Sequence, residues 1–294
     1  MNLFDMDEDI RQLPLASRMR PVSIDEIVGQ QHIIGKDKLL YRAIKADRLG
    51  SIILYGPPGA GKSFFAKIYA KTINAQYKEI QYADINSRWC GEGTENLVSV
   101  FDDIIKSARK SPEKKFVVTF NEIDTFVQPV NSISGKNRTG GSTYWLTKLE
   151  ERSTFLNYLD QLNEKAPNVT IIGTTNLSPR NNGLDGAAMS RFKNIMEVSY
   201  PDKECLSEAL KANLLDMPHG NIFIDKNVDN ITNFVQQLEA RKCSYRDLNN
   251  IIESSKNYYL RDYLKDKNSC YKYEYLEKAL KDVNLTDGEI SGAL

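Results

Sequence analysis

The sequence has few of the features that mark membrane proteins, zinc proteins or polybasic nucleic-acid binders. No apolar run approaches the ~18 residues that a membrane-spanning helix requires, so no membrane association is predicted. Lysine plus arginine and aspartate plus glutamate number 39 each, and the resulting zero net charge argues against a histone-like protein, although a local basic patch stays compatible with it. The four cysteines are too widely spaced for a zinc motif or a redox pair.

The N-terminus also lacks the basic and then apolar segment of a secretory signal. It begins MNLFDMDED, which is acidic, so we expect a protein of the reducing cytoplasm rather than an exported one. Hydrophobic residues make up 41% and charged residues 27%, a composition typical of soluble globular proteins and not of disordered ones. A chain of 294 residues is long enough for two domains.

Short β-rich runs alternate with helix-length stretches between Ser51 and about Val198. This alternation predicts crossover connections and a mostly parallel sheet. The five runs are residues 51–55, 77–82, 116–120, 169–173 and 194–198. After Pro201 the pattern is helical throughout. We therefore predict an N-terminal arm (1–22), an α/β domain with a parallel five-stranded sheet flanked by helices (23–200), and a small all-helical lid (201–294).

One helix of the predicted lid has a recognisable start. Ser244 followed by Asp247 predicts a capping box, in which each residue satisfies a backbone N–H group of the other. The apolar residues that then recur on one helical stripe are Leu248, Ile251, Ile252 and Tyr259. This stripe predicts the face that the helix buries.

Residues 56–63, GPPGAGKS, match the phosphate-binding motif G-x-x-x-x-G-K-[ST] in full, between a predicted strand and a predicted helix. The glycines let backbone N–H groups converge on phosphate oxygens at the helix N-terminus. Lys62 supplies a positive charge to the β- and γ-phosphates, and the Ser63 hydroxyl can ligate Mg²⁺. The residues predicted to hold the nucleotide are Gly56, Pro57, Pro58, Gly59, Ala60, Gly61, Lys62, Ser63 and Phe64.

The apolar run 116–120 ends in the polar residues Asn121 and Glu122, and such a strand end lies beside the phosphate loop in a parallel sheet. Glu122 is the candidate general base that activates water. Asn121 stands where many nucleotide hydrolases have the aspartate that holds the hydration shell of Mg²⁺, and an amide brings no negative charge. We therefore expect Asn121→Asp to lower the Mg²⁺ requirement, unless neighbouring groups have adapted to the amide and the added carboxylate repels Glu122.

With these two segments in place, the chain resembles AAA+ ATPases over roughly residues 14–260. The resemblance implies that Asn176, which ends the segment TIIGTTN, senses the γ-phosphate. It also implies that Arg191, in LDGAAMSRF, reaches the nucleotide of the neighbouring subunit. Remodelling members of the family often have two arginines here, whereas this sequence has Ser190 at the other position.

The same resemblance implies further nucleotide contacts and an assembly. Arg246, in SYRDL, matches a second sensor in the lid, and Ile27 and Val28 match the adenine-side element. The implied activity is ATP hydrolysis with Mg²⁺. Because Arg191 would act on the next subunit, the implied partner is the chain itself, as a homohexameric ring.

Residues 86–97 resemble the central-pore loop of the protein-remodelling AAA clade, with Trp89 and Cys90 directly before Gly91 and Glu92. A large aromatic ring on such a loop can grip an extended polypeptide without reading its sequence, because the contact is mostly buried area. The alternative is that Trp89 packs in the core. Residues 128–142 fall where this clade has its second pore loop.

Residues 14–32 point elsewhere, because they closely resemble the start of the RarA-like ATPases of replication maintenance. The alternative for this segment is an arm that packs on its own or a neighbouring subunit. The RarA-like likeness fades beyond the Trp89 region, whereas the remodelling likeness continues through residues 156–162 and Arg191. Protein remodelling is therefore the favoured function, and a DNA-linked function comes second.

A third possibility is a nucleotide-binding scaffold that hydrolyses slowly, as the neutral side chain of Asn121 suggests. The retention of Glu122, Asn176, Arg191 and Arg246 argues against a dead site. Because only ~20–50 residues precede the phosphate loop, we expect no separate substrate-binding domain there. Substrate choice would then come from the arm, from the pore loops or from an adaptor.

Overall fold

The computed structural model describes residues 41–42, 44, 49–85, 92–127, 142–179 and 184–283, with backbone alone at 142–145. Several predictions lie outside these residues. They concern the N-terminal arm, Ile27 and Val28 at the adenine side, Trp89 and Cys90 in the first pore loop, and residues 128–141 of the second pore loop.

Five parallel strands form the central sheet, in the order β2-β3-β4-β1-β5. The strands are β1 (Ile52–Tyr55), β2 (Gln76–Ile80), β3 (Phe116–Phe120), β4 (Val169–Thr175) and β5 (Asn194–Glu197). The predicted parallel five-stranded sheet is confirmed. The prediction extended the second strand to Tyr82, but β2 ends at Ile80 because Tyr82 already begins a helix.

Helices cover both faces of the sheet in the first part of the chain. They are α1 (Lys62–Thr72), α2 (Tyr82–Ile85), α3 (Glu92–Lys110), α4 (Ser142–Lys165) and α5 (Gly186–Met189), with a 3₁₀ turn at Ile123–Thr125. Parallel strands are joined by crossover connections of about a dozen residues or more, and helices usually form these connections, as the alternating pattern predicted. The flanking helices of the predicted fold are therefore present.

Strand β3 is apolar except for Thr119, and its packing explains this composition. Phe116, Val118 and Phe120 pack into one core with α3 and α4, whereas Val117 packs into a second core with α1. Successive side chains of a strand point to opposite faces, so a strand covered on both sides is apolar at nearly every position. Every residue of β3 is buried.

The described residues after 203 form a C-terminal helical region with a hydrophobic core of its own. Its helices are α6 (Lys203–Leu215), α7 (Gly220–Lys226), α8 (Val228–Ala240), α9 (Tyr245–Lys265) and α10 (Tyr273–Asp282). The predicted capping box is confirmed at the start of α9, where the Asp247 backbone N–H donates to Ser244 Oγ at 3.2 Å and the Ser244 N–H donates to Asp247 Oδ2 at 3.0 Å. The division of the chain into three segments stays a prediction.

Within the described ranges, no helix combines the length and the apolar character that crossing a membrane requires.

The core between the sheet and α3–α4 depends on a cluster of aromatic rings around Phe101. Its ring centroid lies 5.4 Å from that of Phe120, 5.5 Å from that of Phe155 and 5.0 Å from that of Tyr158, and Phe101 is 0% exposed. We expect Phe101→Ala to lower the free energy of unfolding by about 3–5 kcal/mol, because it leaves a cavity in this cluster. The urea midpoint measures the loss.

The matched control for that cavity is Leu264→Ala. Leu264 lies near the end of α9 and is 82% exposed, so its truncation should change the free energy of unfolding by less than about 0.5 kcal/mol. Equal midpoints for the two variants would show that the aromatic cluster does not contribute to stability as its burial implies.

Candidate functional site

The phosphate loop connects β1 to α1 through a backbone that requires glycine. Gly56, Gly59 and Gly61 have φ angles of 147°, 75° and 97°, which L-residues with a side chain rarely adopt. Gly61 directly precedes α1, so the loop ends at the N-terminus of that helix, where unpaired backbone N–H groups favour anions. The structure therefore places the predicted loop in the conformation that a phosphate cradle needs.

The C-terminal helical region touches this loop at the start of α9. A Cβ atom built on Gly59 would lie 2.5 Å from Ser244 Oγ and 2.9 Å from the Arg246 Cβ, closer than packed atoms allow. The Cβ atom of Arg246, which was predicted as a sensor, thus packs against the loop at Gly59. Any side chain at position 59 would push the loop and α9 apart.

The Lys62 ammonium group is held by three oxygen acceptors. Its Nζ donates to the Gly56 carbonyl at 2.8 Å, to the Pro57 carbonyl at 2.7 Å and to Asn176 Oδ1 at 2.9 Å. Asn176 directly follows β4, so this contact joins the loop to a second strand end. Lys62 and Asn176, which the sequence analysis assigned to the γ-phosphate, are therefore joined by a hydrogen bond.

The surroundings of Lys62 disfavour its charged form. Burial is the main cause, the positive charge of Arg246 adds to it, and the negative charge of Asp124 opposes it, so the pKa of Lys62 falls from 10.5 to about 8. A bound polyphosphate would supply negative charge where the site now has a partly uncompensated cation. A bound anion would therefore stabilise the charged form of Lys62.

Asn121 directly follows β3 and meets the loop through its side chain. Ser63 Oγ donates to Asn121 Oδ1 at 2.8 Å, and Thr174 Oγ1 donates to the same oxygen at 2.9 Å. The Asn121 amide nitrogen donates to Glu79 Oε1, on the neighbouring strand β2. The structure therefore brings together the two residues predicted at the metal, Ser63 and Asn121, and adds two that sequence reasoning missed, Thr174 and Glu79.

Glu122 occupies the next position, where the chain turns sharply out of β3. Its φ of 52° lies in the left-handed region, which is uncommon for residues that carry a side chain, and the residue is exposed. Strained backbone of this kind is often found at functional sites. Its role as the general base stays a prediction.

The end of β4 is fixed by a carboxylate that the sequence did not single out. Thr175 Oγ1 donates to Asp124 Oδ1 at 2.5 Å, and the Leu177 backbone N–H donates to Thr175 Oγ1 at 3.0 Å. Asn176 lies between these two anchored residues, so the bonds determine its position. Asp124 also contributes negative charge near Lys62.

Arg191 makes its hydrogen bonds outside the cluster at the phosphate loop. Its Nε and Nη2 donate to the two carboxylate oxygens of Asp160 on α4 at 2.9 Å and 2.7 Å, and its Nη1 donates to the Ala187 carbonyl at 2.8 Å. Among the described residues, its hydrogen-bond partners thus belong to α4 and α5 and not to the phosphate loop. Its action on a neighbouring subunit stays a prediction.

These groups fit a nucleotide with Mg²⁺. The loop amides and Lys62 would hold the phosphates, and the Ser63 hydroxyl would hold the metal, which keeps most of its ligand positions for water and phosphate oxygens. The side chains that contact Asn121 present oxygen atoms, which are the ligands that a hard cation prefers. The one departure is the amide of Asn121 itself, which is neutral.

A protein-family model supports the same assignment. The model described as "ATPase family associated with various cellular activities (AAA)" matches residues 52–200. The chain belongs to the AAA ATPase family. Members of this family bind and hydrolyse ATP, generally with Mg²⁺, and typically form oligomers.

Two relatives and one solved structure show how the likeness is distributed. Replication-associated recombination protein A of Coxiella burnetii is 52% identical over 68 residues, or 23% of this chain and 16% of that protein. The vesicle-fusing ATPase of Dictyostelium discoideum is 24% identical over 291 residues, or 97% of this chain and 35% of that protein. The chain therefore spans about a third or less of these relatives.

The solved structure is the FIGL-1 AAA domain in complex with ADP. It matches with a TM-score of 0.65 over 90% of this chain and 86% of that one, at 18% sequence identity. At this identity the match shows the fold, including the helical region that follows the sheet. The AAA fold predicted from the motifs is confirmed.

The lowered pKa of Lys62 predicts that nucleotide binding takes up protons at alkaline pH. Below about pH 8 the lysine is already charged in the empty site, so the uptake should appear as the pH rises above this value. The nucleotide phosphates are fully ionised there. Calorimetric titration with ADP in buffers of different ionisation enthalpy measures the uptake.

Arg246→Met is the matched variant for this measurement. Removing the arginine charge should raise the pKa of Lys62 and move the uptake to higher pH. Uptake that does not vary between pH 7 and 10 would show that Lys62 keeps its proton in the empty site, contrary to the effect of its burial.

Proposed function

We propose that this AAA ATPase hydrolyses ATP at sites shared between copies of the chain in a homohexameric ring, and that it uses hydrolysis to remodel or thread a protein substrate. The observation that carries the hydrolysis proposal is the convergence of three strand ends on one point. There, Lys62 contacts Asn176, and Ser63 contacts Asn121. Catalysis of phosphoryl transfer needs little more than such positioning and charge stabilisation.

The described residues divide the work of hydrolysis. Lys62 and the loop amides hold the phosphates, Glu122 accepts a proton from the attacking water, and Asn176 orients that water beside the γ-phosphate. Mg²⁺, when bound, supplies positive charge that offsets the negative charge developing on the phosphate oxygens. Arg191 of a neighbouring copy completes the site by adding a second cation at the γ-phosphate.

The shared site is supported by where Arg191 lies. The Arg191 side chain is 25% exposed and pairs with Asp160, whose side chain is 53% exposed, so the arginine is partly accessible to another copy. Ion pairs at such exposure contribute about 1 kcal/mol or less, so little stability opposes a rearrangement. Activity would then require assembly, because no single copy of the chain supplies the whole charge set.

A protein substrate is supported by how far each likeness extends along the chain. The likeness to a vesicle-fusing ATPase covers 97% of this chain, whereas the likeness to replication-associated recombination protein A covers 23%. The longer likeness extends over both the sheet and the C-terminal helical region, so it is the more informative one. In this mechanism Trp89 and Cys90 grip the polypeptide, and the arm, the pore loops or an adaptor select the substrate.

DNA is the second candidate substrate, and one observation favours it. The short match to replication-associated recombination protein A has the higher sequence identity, at 52% against 24% for the vesicle-fusing ATPase. If that segment carries the function, DNA ends or forks rather than polypeptide would stimulate hydrolysis. The slow-hydrolysing scaffold is the remaining alternative.

We expect Glu122→Gln to keep ATP affinity and to slow turnover by about 10²–10⁴-fold, because it removes the base but not the phosphate cradle. Arg191→Ala should also be nearly inactive. Mixing the two proteins should restore part of the activity, since some interfaces then pair an intact Glu122 with an intact Arg191. Phosphate release by mixed rings, with mixing verified by mass photometry of tagged copies, measures this recovery.

Asp160→Asn is the control for the arginine. It weakens the ion pair that holds Arg191 but leaves the guanidinium group available, so its turnover should stay near that of the unmodified protein. If Asp160→Asn is as damaging as Arg191→Ala, the arginine acts by stabilising its own chain. If Glu122→Gln turns over at the normal rate, the chain fits the scaffold alternative.

Trp89→Ala should abolish the stimulation of ATP hydrolysis by casein, an unfolded protein probe, whereas Trp89→Phe should retain it, because the grip depends on aromatic area. The ratio of phosphate release with and without casein is the measurement. Stimulation by single-stranded or duplex DNA, but not by casein, would favour the DNA-linked function. A loss of about 3–5 kcal/mol of stability in Trp89→Ala would instead mean that Trp89 belongs to the core.

A further inference from the structure

The orientation of the Asn121 amide is set by Glu79. A carboxylate can only accept hydrogen bonds, so the group that Asn121 turns toward Glu79 must be its Nδ2 donor. The carbonyl oxygen is then directed to the opposite side, where it accepts from Ser63 and Thr174 at 2.8 Å and 2.9 Å. Two hydroxyl groups alone would tolerate either orientation, because a hydroxyl donates and accepts.

The contact follows from the pairing of two parallel strands. Glu79 on β2 lies opposite Thr119 on β3, and the Asn121 backbone N–H continues the ladder by donating to the Ile80 carbonyl at 3.0 Å. Asn121 is two residues beyond Thr119, so its side chain lies on the same face as Glu79, one diagonal step away. The site therefore has a carboxylate beside the expected aspartate position, on the neighbouring strand.

The second carboxylate oxygen of Glu79 pairs with a cation on the phosphate-loop helix, whereas the first accepts from Asn121. Lys67 Nζ lies 2.9 Å from Glu79 Oε2, and the Tyr77 hydroxyl donates to the same oxygen at 3.4 Å. Lys67 is one turn beyond Ser63 on α1. Ser63 contacts Asn121, Asn121 contacts Glu79, and Glu79 contacts Lys67, so this series of contacts begins and ends on the same helix. The Glu79 side chain is 24% exposed, which limits how far water can weaken this chain of polar contacts.

We propose that Glu79 supplies, through Asn121, the negative charge that an aspartate at position 121 would carry. This inference rests on the ATP and Mg²⁺ site of the proposed function. Glu79 is a positioning residue: it holds the amide oxygen of Asn121 toward Ser63 and polarises it, since a hydrogen bond to a charged acceptor is roughly twice as strong as a neutral one. The carboxylate charge also acts directly over the width of one amide group.

The contact between Asn121 and Glu79 changes the expected effect of Asn121→Asp. The sequence alone predicts that this substitution lowers the Mg²⁺ requirement, with repulsion of Glu122 as the alternative. The structure shows instead that an aspartate would meet Glu79, and two carboxylates in contact cannot both stay ionised without cost. The single variant should therefore not gain metal affinity, whereas exchanging the two groups, as Glu79→Gln with Asn121→Asp, should restore one carboxylate and one amide.

The test measures metal affinity in the whole protein. Mn²⁺ serves as the probe for Mg²⁺, and electron paramagnetic resonance reports free Mn²⁺ during titration of the ADP-bound protein. We expect Glu79→Gln to weaken Mn²⁺ binding by about tenfold or more, as loss of an outer-shell partner typically does. ADP affinity in EDTA should stay within about twofold, because Lys62 and the loop amides are untouched. The exchanged double variant should recover most of the Mn²⁺ affinity.

Two further variants separate charge from folding. Glu197→Gln, on edge strand β5 where Glu197 accepts from Tyr55, is the matched carboxylate control and should leave Mn²⁺ affinity unchanged. Lys67→Met removes the partner of Glu79 but keeps the carboxylate, so it too should retain Mn²⁺ binding. Should Glu79→Gln fail to fold, the double variant and Lys67→Met still test the role of the charge.

The possible results divide clearly. Unchanged Mn²⁺ affinity in Glu79→Gln, or no recovery in a folded double variant, would overturn the role of Glu79. A tenfold loss that Lys67→Met reproduces would also overturn it, because the salt bridge rather than the carboxylate would then be required. Absence of ADP binding in the unmodified protein would instead contradict the proposed function, so the two failures are distinguishable.

Discussion

The parallel alignment of β1, β3 and β4 is the constraint on which the site depends. Tyr55 on β1 pairs with Thr175 on β4, and Phe120 on β3 pairs with Gly173 on β4, so the three strands end at nearly the same level. The phosphate loop, Asn121 and Asn176 leave the sheet at these ends and meet without any long-range adjustment. In an antiparallel arrangement, neighbouring strands would end at opposite edges, and these residues could not converge.

This constraint explains which parts of the site the sequence could predict. A motif such as residues 56–63 describes one continuous turn, so its residue types and its flanking strand and helix can be recognised together. The apolar run of β3 and the capping box of Ser244 are equally local, and the structure confirms both. The contribution of Glu79 is not local. It depends on β2 lying beside β3, and strand order leaves no signal in the alternation of strands and helices.

The contact between α9 and the phosphate loop links the nucleotide site to the C-terminal helical region. Gly59 leaves no space for a side chain beneath Ser244 and Arg246, so the loop and the first turn of α9 are in direct contact. The charge of Arg246 also bears on the protonation of Lys62, whose pKa reflects burial and this arginine. Bound phosphates would change both the burial of Lys62 and the charge around it. A change at the loop would therefore also affect Arg246 at the start of α9, a helix of 21 residues.

Two arginines of this chain make similar carboxylate pairs with different consequences. Arg152 pairs with Asp185, whose side chain is 8% exposed and also caps α5 through the backbone N–H groups of Ala187 and Ala188. Breaking this pair would leave a buried carboxylate without its cation, which is strongly destabilising. Arg191 pairs with Asp160, whose side chain is 53% exposed, so water can replace the arginine at little cost. Of the two, Arg191 is the arginine that a neighbouring copy could recruit without unfolding the segment that presents it.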